Sequence, residues 1–193
     1  LASVLADAEA DEIAAAVAFA TGASLHGRTG VGWATLYDVR PDPAATPTLN
    51  VLDVHRTIGE VAAINGEGSV QRRRDLLRAL LERATEPEQD LIRSILGGEL
   101  RQGALDGVMA AAVAKAARVD VADVQRAAMF AGSLPDAASV ALTAGAAGLA
   151  EVGLSPSRPV QPMLASSAAN VSDALELTGL ASVEWKLDGA RIQ

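Results

Sequence analysis

Half of this 193-residue chain is apolar, yet only five residues are aromatic and alanine is very common. That combination constrains the fold more than any single motif does. Alanine loses no side-chain entropy in a helix, whereas sheets draw on β-branched and aromatic residues. The expected fold class is therefore all-α, and a chain of this length can bury a sizeable core in one domain or two.

Apolar spacing and capping residues then place the helices. The first is expected over 4–21, with Leu5, Ile13, Val17 and Phe19, closing at Gly22. Residues 26–37 contain three glycines and read as an irregular connector with a short extended end, in which Trp33 should be core. Residues 38–47 are rich in Pro and Asp and read as a surface loop. Thr48 or Asn50 can cap a helix running to about Ile64, and Ser69 one running to about Ala84. Thr85-Glu86-Pro87-Glu88 starts another that ends at Gly97-Gly98. Further helices are expected over 105–118, from Asp120 to about Phe130, and from Ser133 and Pro135 to roughly Ala147.

Residues 155–162 carry three prolines and read as an extended linker. The spacing thus divides the chain into a helical domain, 1–155, and a second segment, 156–193. A short helix is expected at 170–177. Beyond Gly179 the period becomes two, with Val183, Trp185 and Leu187 opposite Glu184, Lys186 and Asp188. Asp188-Gly189 is a hairpin turn signal. A hairpin stopped four residues later implies a domain that continues beyond Gln193, and a first residue of Leu1 implies a trimmed N-terminus.

With no cysteine, disulfides and thiolate metal sites are excluded. His26 and His55 stand alone without ligand spacing, so no metal site is expected from them. Charged residues interrupt every apolar run, no secretory signal is present, and a cytoplasmic protein is expected. The net charge is −8, which by itself argues against a nucleic-acid partner. Read by segment, the balance differs: residues 66–126 carry ten acids and ten of the sixteen Lys and Arg.

Three stretches carry chemistry. Lys186-Leu187-Asp188-Gly189-Ala190-Arg191 fits a K-x-D-G-x-R pattern in which Lys186 and Arg191 occupy opposite arms of a tight turn. A lysine amine is nucleophilic only when neutral, against an ordinary value of about 10.4. A cationic neighbour and partial desolvation favour that neutral form. The second stretch is Gly98-Glu99-Leu100-Arg101-Gln102-Gly103, where glycines allow close main-chain approach and Arg101 can hold a phosphate in two bonds. The other reading of these glycines is a helix cap and a turn closure. The third is Gly66-Glu67-Gly68-Ser69 before Arg72, Arg73 and Arg74. Free helix amides plus arginines make an anion site; the other reading is a solvated turn with Arg73 ion-paired to Glu67 or Asp75.

Taken together, these stretches resemble ATP-dependent DNA ligases of the bacterial and archaeal replicative-like type. Pro159-Val160-Gln161-Pro162-Met163-Leu164-Ala165 is similar to the segment that precedes the nucleophile in that family. The resemblance covers almost the whole chain, as a helical DNA-binding domain followed by the start of a nucleotidyltransferase domain. It implies that Lys186 takes AMP from ATP, that Glu184 reads the adenine amino group and that Arg191 contacts the nucleotide or a DNA 5′-phosphate. By the same resemblance Gly68, Ser69, Arg72, Arg73, Arg101 and Gly103 contact DNA. ATP and Mg2+ are the implied cofactors, and nicked duplex DNA is the implied partner of a monomer acting in replication, repair or recombination. The missing downstream motifs imply that this chain alone seals no nicks. RNA ligases, capping enzymes and NAD-dependent ligases share the lysine motif, but the Gly98–Gly103 stretch speaks against them. A helical protein-interaction module, supported by the acidic net charge, is the alternative from a different class.

Overall fold

The computed structural model describes residues 1–23, 25–100, 103–160 and 168–182, and these form ten α-helices and no strand. In chain order they are α1 (Ala2–Ala6), α2 (Ile13–Thr21), α3 (Trp33–Asp38), α4 (Val51–Ala63) and α5 (Ser69–Glu82). There follow α6 (Glu86–Gly97), α7 (Gly103–Ala117), α8 (Val121–Ala131), α9 (Leu134–Glu151) and α10 (Val171–Thr178). The all-α class expected from composition is the class found.

Two apolar cores share α2. One is built on small residues: Ala110, Val113 and Ala114 of α7, Val124 and Ala127 of α8, and Ala137, Ala138 and Ala141 of α9 close around Ile13 and Val17. The other is built on larger ones, with Val54 and Ile58 of α4, Leu77, Leu80 and Leu81 of α5, and Ile92 of α6. Phe19, six residues along α2 from Ile13, packs against this second core. Alanine lets the first set of helices approach closely, because interaxial distance follows side-chain size.

Local capping sets most boundaries as the sequence implies. Asn50, not Thr48, caps α4 in a reciprocal pair with Asp53, and Thr85 does the same for α6 with Glu88. Asp120, Ser133 and Asn170 cap α8, α9 and α10. Thr48 instead donates to the Arg83 carbonyl at 3.1 Å and ties the proline-rich loop to the end of α5.

Five expectations need correction. The helix over 4–21 is two helices, because Glu12 turns back to accept the Glu9 amide at 3.1 Å and closes a turn between them. The 26–37 connector ends in a helix, α3, not in an extended strand end; Leu36 and Val39 are buried from it. Trp33 is 55% exposed and is not core. Ser69 does not cap α5: the cap is Gly68 at φ +71, a left-handed conformation that glycine adopts without strain. α9 also runs past Ala147 to Glu151, with a kink at Gly145.

Two helices end in the same way. At the end of α4, Arg73 donates from Nε to the Val61 carbonyl at 3.3 Å and from Nη2 to the Ile64 carbonyl. At the end of α9, Arg126 donates to the Leu149 and Val152 carbonyls. In each case a guanidinium from a neighbouring helix bonds two carbonyls at a helix terminus, one of which also accepts the cap amide.

Candidate nucleic-acid interface

The Gly66–Ser69 turn owes its shape to the arginines that follow it. Arg72 donates to the Asn65 carbonyl at 2.7 Å and to the Glu67 carbonyl at 3.3 Å. With Arg73 on Val61 and Ile64, two cations near the positive end of α5 meet the negative end of α4, which offsets the dipole repulsion. The ion pair of Arg73 with Glu67 or Asp75 is not formed; its partners are main-chain carbonyls, and Asp75 accepts from Gln71 at 2.8 Å. Arg74 pairs with Asp38 at the end of α3. Arg72 stays exposed, whereas Arg73 is half-buried.

The second candidate turn follows α6. Gly98 closes that helix in the left-handed conformation, and the Glu99 amide donates to the Ser94 carbonyl at 3.0 Å. The capping reading of Gly97 and Gly98 therefore holds, and Gly103 opens α7. Arg101 lies outside the described residues. So do Glu184, Lys186, Arg191, the expected hairpin at Asp188-Gly189 and the Pro162-Met163-Leu164-Ala165 stretch.

Both turns are tied to one segment, residues 26–38. The Arg73 guanidinium sits on Gly30, where a Cβ would lie 2.8 Å from Cζ; φ there is +69. The Trp33 indole sits on Gly97, where a Cβ would lie 2.9 Å from Cη2. A recess of about 600 Å³, lined by His26, Arg28, Phe19, Ile95, Gly97 and Gly98 among others, opens between this segment and the end of α6. Sequence reasoning passed over Arg28 and Tyr37 and placed Trp33 in the core. The i, i+4 spacing of the two aromatics was the available signal, hidden by the glycines before them.

His26 and His55 do not stand alone. Their Nε2 and Nδ1 atoms are 3.1 Å apart, and the rings lie 4.4 Å apart between centroids, tilted by 35°. Burial first, and then His26, hold the His55 imidazole below its ordinary value. The His26 ring rests on Gly59, where a Cβ would lie 2.9 Å from Cε1, so the pair fastens the loop to α4. Among the described residues no group of three or more His, Cys, Asp or Glu is placed to hold a metal, and no helix is long and apolar enough to cross a membrane.

Comparison with known proteins agrees with this layout. Residues 26–139 match the family model described as DNA ligase N terminus. Over the whole chain, the sequence is 50% identical to a "Probable DNA ligase" of Nocardia farcinica and 50% identical to one of Mycolicibacterium gilvum. It is 49% identical to one of Pseudarthrobacter chlorophenolicus. The chain spans only 37–38% of the length of these relatives. Because the matched region runs from the His26 loop through both candidate turns and into α9, the chain belongs to the DNA ligase N-terminus family.

Proposed function

We propose that this chain is the duplex-gripping front part of an ATP-dependent DNA ligase, followed by the start of its nucleotidyltransferase domain. The observation that carries the proposal is the joining of two glycine-rich turns, each leading into a helix, to the single segment 26–38. Gly68 offers a main-chain amide, Ser69 a hydroxyl and Arg72 an exposed guanidinium at the first turn. By the sequence resemblance, Arg101 and Gly103 act in the same way after Gly98. Arg72 also bonds the Asn65 and Glu67 carbonyls of the first turn, and Arg73, committed to the Val61 and Ile64 carbonyls, fixes the end of α4 beside it. Such groups bind backbone phosphates without reading sequence, which suits an enzyme that acts at any nick.

In this reading the Lys186 amine attacks the α-phosphorus of ATP, pyrophosphate leaves and a lysyl-AMP bond forms. Glu184 and Arg191 position the nucleotide. The AMP then passes to the DNA 5′-phosphate, and the adjacent 3′-hydroxyl displaces it as the phosphodiester closes. Magnesium would supply charge neutralisation on the phosphates. The K-x-D-G-x-R spacing and the relatives' name support this chemistry.

The test is binding of the 193-residue chain to nicked duplex DNA across a salt series, by fluorescence anisotropy, beside Arg72→Ala and Arg101→Ala. Affinity should fall steeply with salt, and each substitution should weaken binding and reduce the log–log slope by about 1. With ATP and magnesium added, the same preparation should seal no nick. The net charge of −8 favours a second reading, a helical protein-interaction module. Absence of binding at low salt would select that reading.

A further inference from the structure

The exposed face of α3 has no assigned role. Trp33 and Tyr37 lie one turn apart on it, 55% and 67% exposed, while Leu36 and Val39 bury the opposite side. Exposure of two large aromatics in a chain with only five is unexpected for a face that nothing covers. Each ring has a contact within the chain. The indole is seated on Gly97, and the Arg40 guanidinium lies 4.9 Å over the Tyr37 ring. The carboxylate of α3, Asp38, is neutralised by Arg74. Arg28, exposed on the loop before α3, lines the recess that separates this loop from Gly97 and Gly98.

We infer that Trp33 and Tyr37 form an aromatic edge that packs against the sugar faces of duplex DNA, between the phosphates gripped at the two glycine-rich turns. The inference rests on the proposed DNA-binding reading and adds an apolar element to it. Continuity is the first argument: the segment is joined to the first turn through Arg73 on Gly30 and Arg74 with Asp38, and to the second through Trp33 on Gly97. On this inference a duplex held at both turns runs along the segment joined to them. Charge is the second, because the flanking groups Arg28 and Arg40 are cationic and the carboxylate of α3 is already paired. Side-chain type is the third, because aromatic rings have few rotatable bonds and add contact area at low entropic cost.

An apolar contact and a phosphate contact leave different signatures. Trp33→Ala with Tyr37→Ala should weaken binding to nicked duplex about tenfold while leaving the slope of log affinity against log salt unchanged. Trp33→Phe should restore most of the affinity. A second measurement does not depend on removing the rings. In a Trp185→Phe background Trp33 is the sole tryptophan. On titration with nicked duplex its emission should shift to the blue and become protected from acrylamide. If anisotropy reports saturation while Trp33 stays fully quenchable, the aromatic edge is wrong and the phosphate grip survives. If the chain fails to bind duplex at any salt concentration, both readings fall together.

Discussion

Arg72 and Arg73 are adjacent in sequence but have different tasks. Arg73 is half-buried and donates to two carbonyls at the end of α4, with Gly30 pressed against its guanidinium. Removing it takes this donor from the Ile64 carbonyl and leaves Val61 only the Ile64 amide, at a cost of about 1–3 kcal/mol. Arg72 is exposed, and its two acceptors, Asn65 and Glu67, can bond to water instead. Arg73→Ala should therefore lower the urea midpoint markedly, whereas Arg72→Ala should leave it nearly unchanged and weaken DNA binding instead. Equal losses of stability in the two variants would mean that Arg72 too serves the fold. A sequence cannot separate these roles, because three consecutive arginines look alike until the carbonyls of another helix are placed beside one of them.

At the scale of elements, the 26–33 loop is held to its neighbours by side chains resting on glycines, and these glycines are tuned to their visitors. Gly59 lies inside α4, where alanine would ordinarily gain about 1 kcal/mol. Here a Cβ would stand 2.9 Å from His26 Cε1, so the imidazole must move and its contact with His55 is lost. Gly59→Ala alone should give no gain in stability, whereas in a His26→Ala background the same change should stabilise by about 1 kcal/mol. Additive effects in that cycle would show that the ring yields freely. The helix caps at Asn50, Thr85, Asp120, Ser133 and Asn170 were legible because each bond joins residues two or three apart. The identity of α3 was not. Its alternation of Val31, Trp33, Thr35 and Tyr37 fits an extended segment, and only the burial of Leu36 and Val39 in the second core decides for a helix. The same limit concealed the pairing of His26 with His55, which are 29 residues apart.

In the molecule as a whole, an alanine-rich core and a leucine-rich core meet at α2; the first glycine-rich turn and the 26–38 segment are built on the second, while α7, which Gly103 opens, belongs to the first. Composition made the helical class legible, but not this division, since apolar spacing says which residues are buried and not which of them share a core. Phe19 is the joint. It leaves the helix whose Ile13 and Val17 fill the first core, packs against the second and lines the recess beside the 26–32 loop. Truncating a partly buried phenylalanine costs about 3 kcal/mol, at the lower end for its kind. Beyond that loss, Phe19→Ala should uncouple the two cores. In the Trp185→Phe background, Trp33 emission reports the second core, since its ring sits at the end of α6, while far-UV dichroism averages over both. The two signals should trace one unfolding curve in the parent chain and separate in Phe19→Ala, with Trp33 responding at lower urea. Weaker duplex binding should accompany the separation, because the loop that joins the two glycine-rich turns loses its support. Coincident curves in the variant would mean that α2 couples the cores through its backbone position alone, and that the interface draws its stability from the whole helical body and not from this one contact.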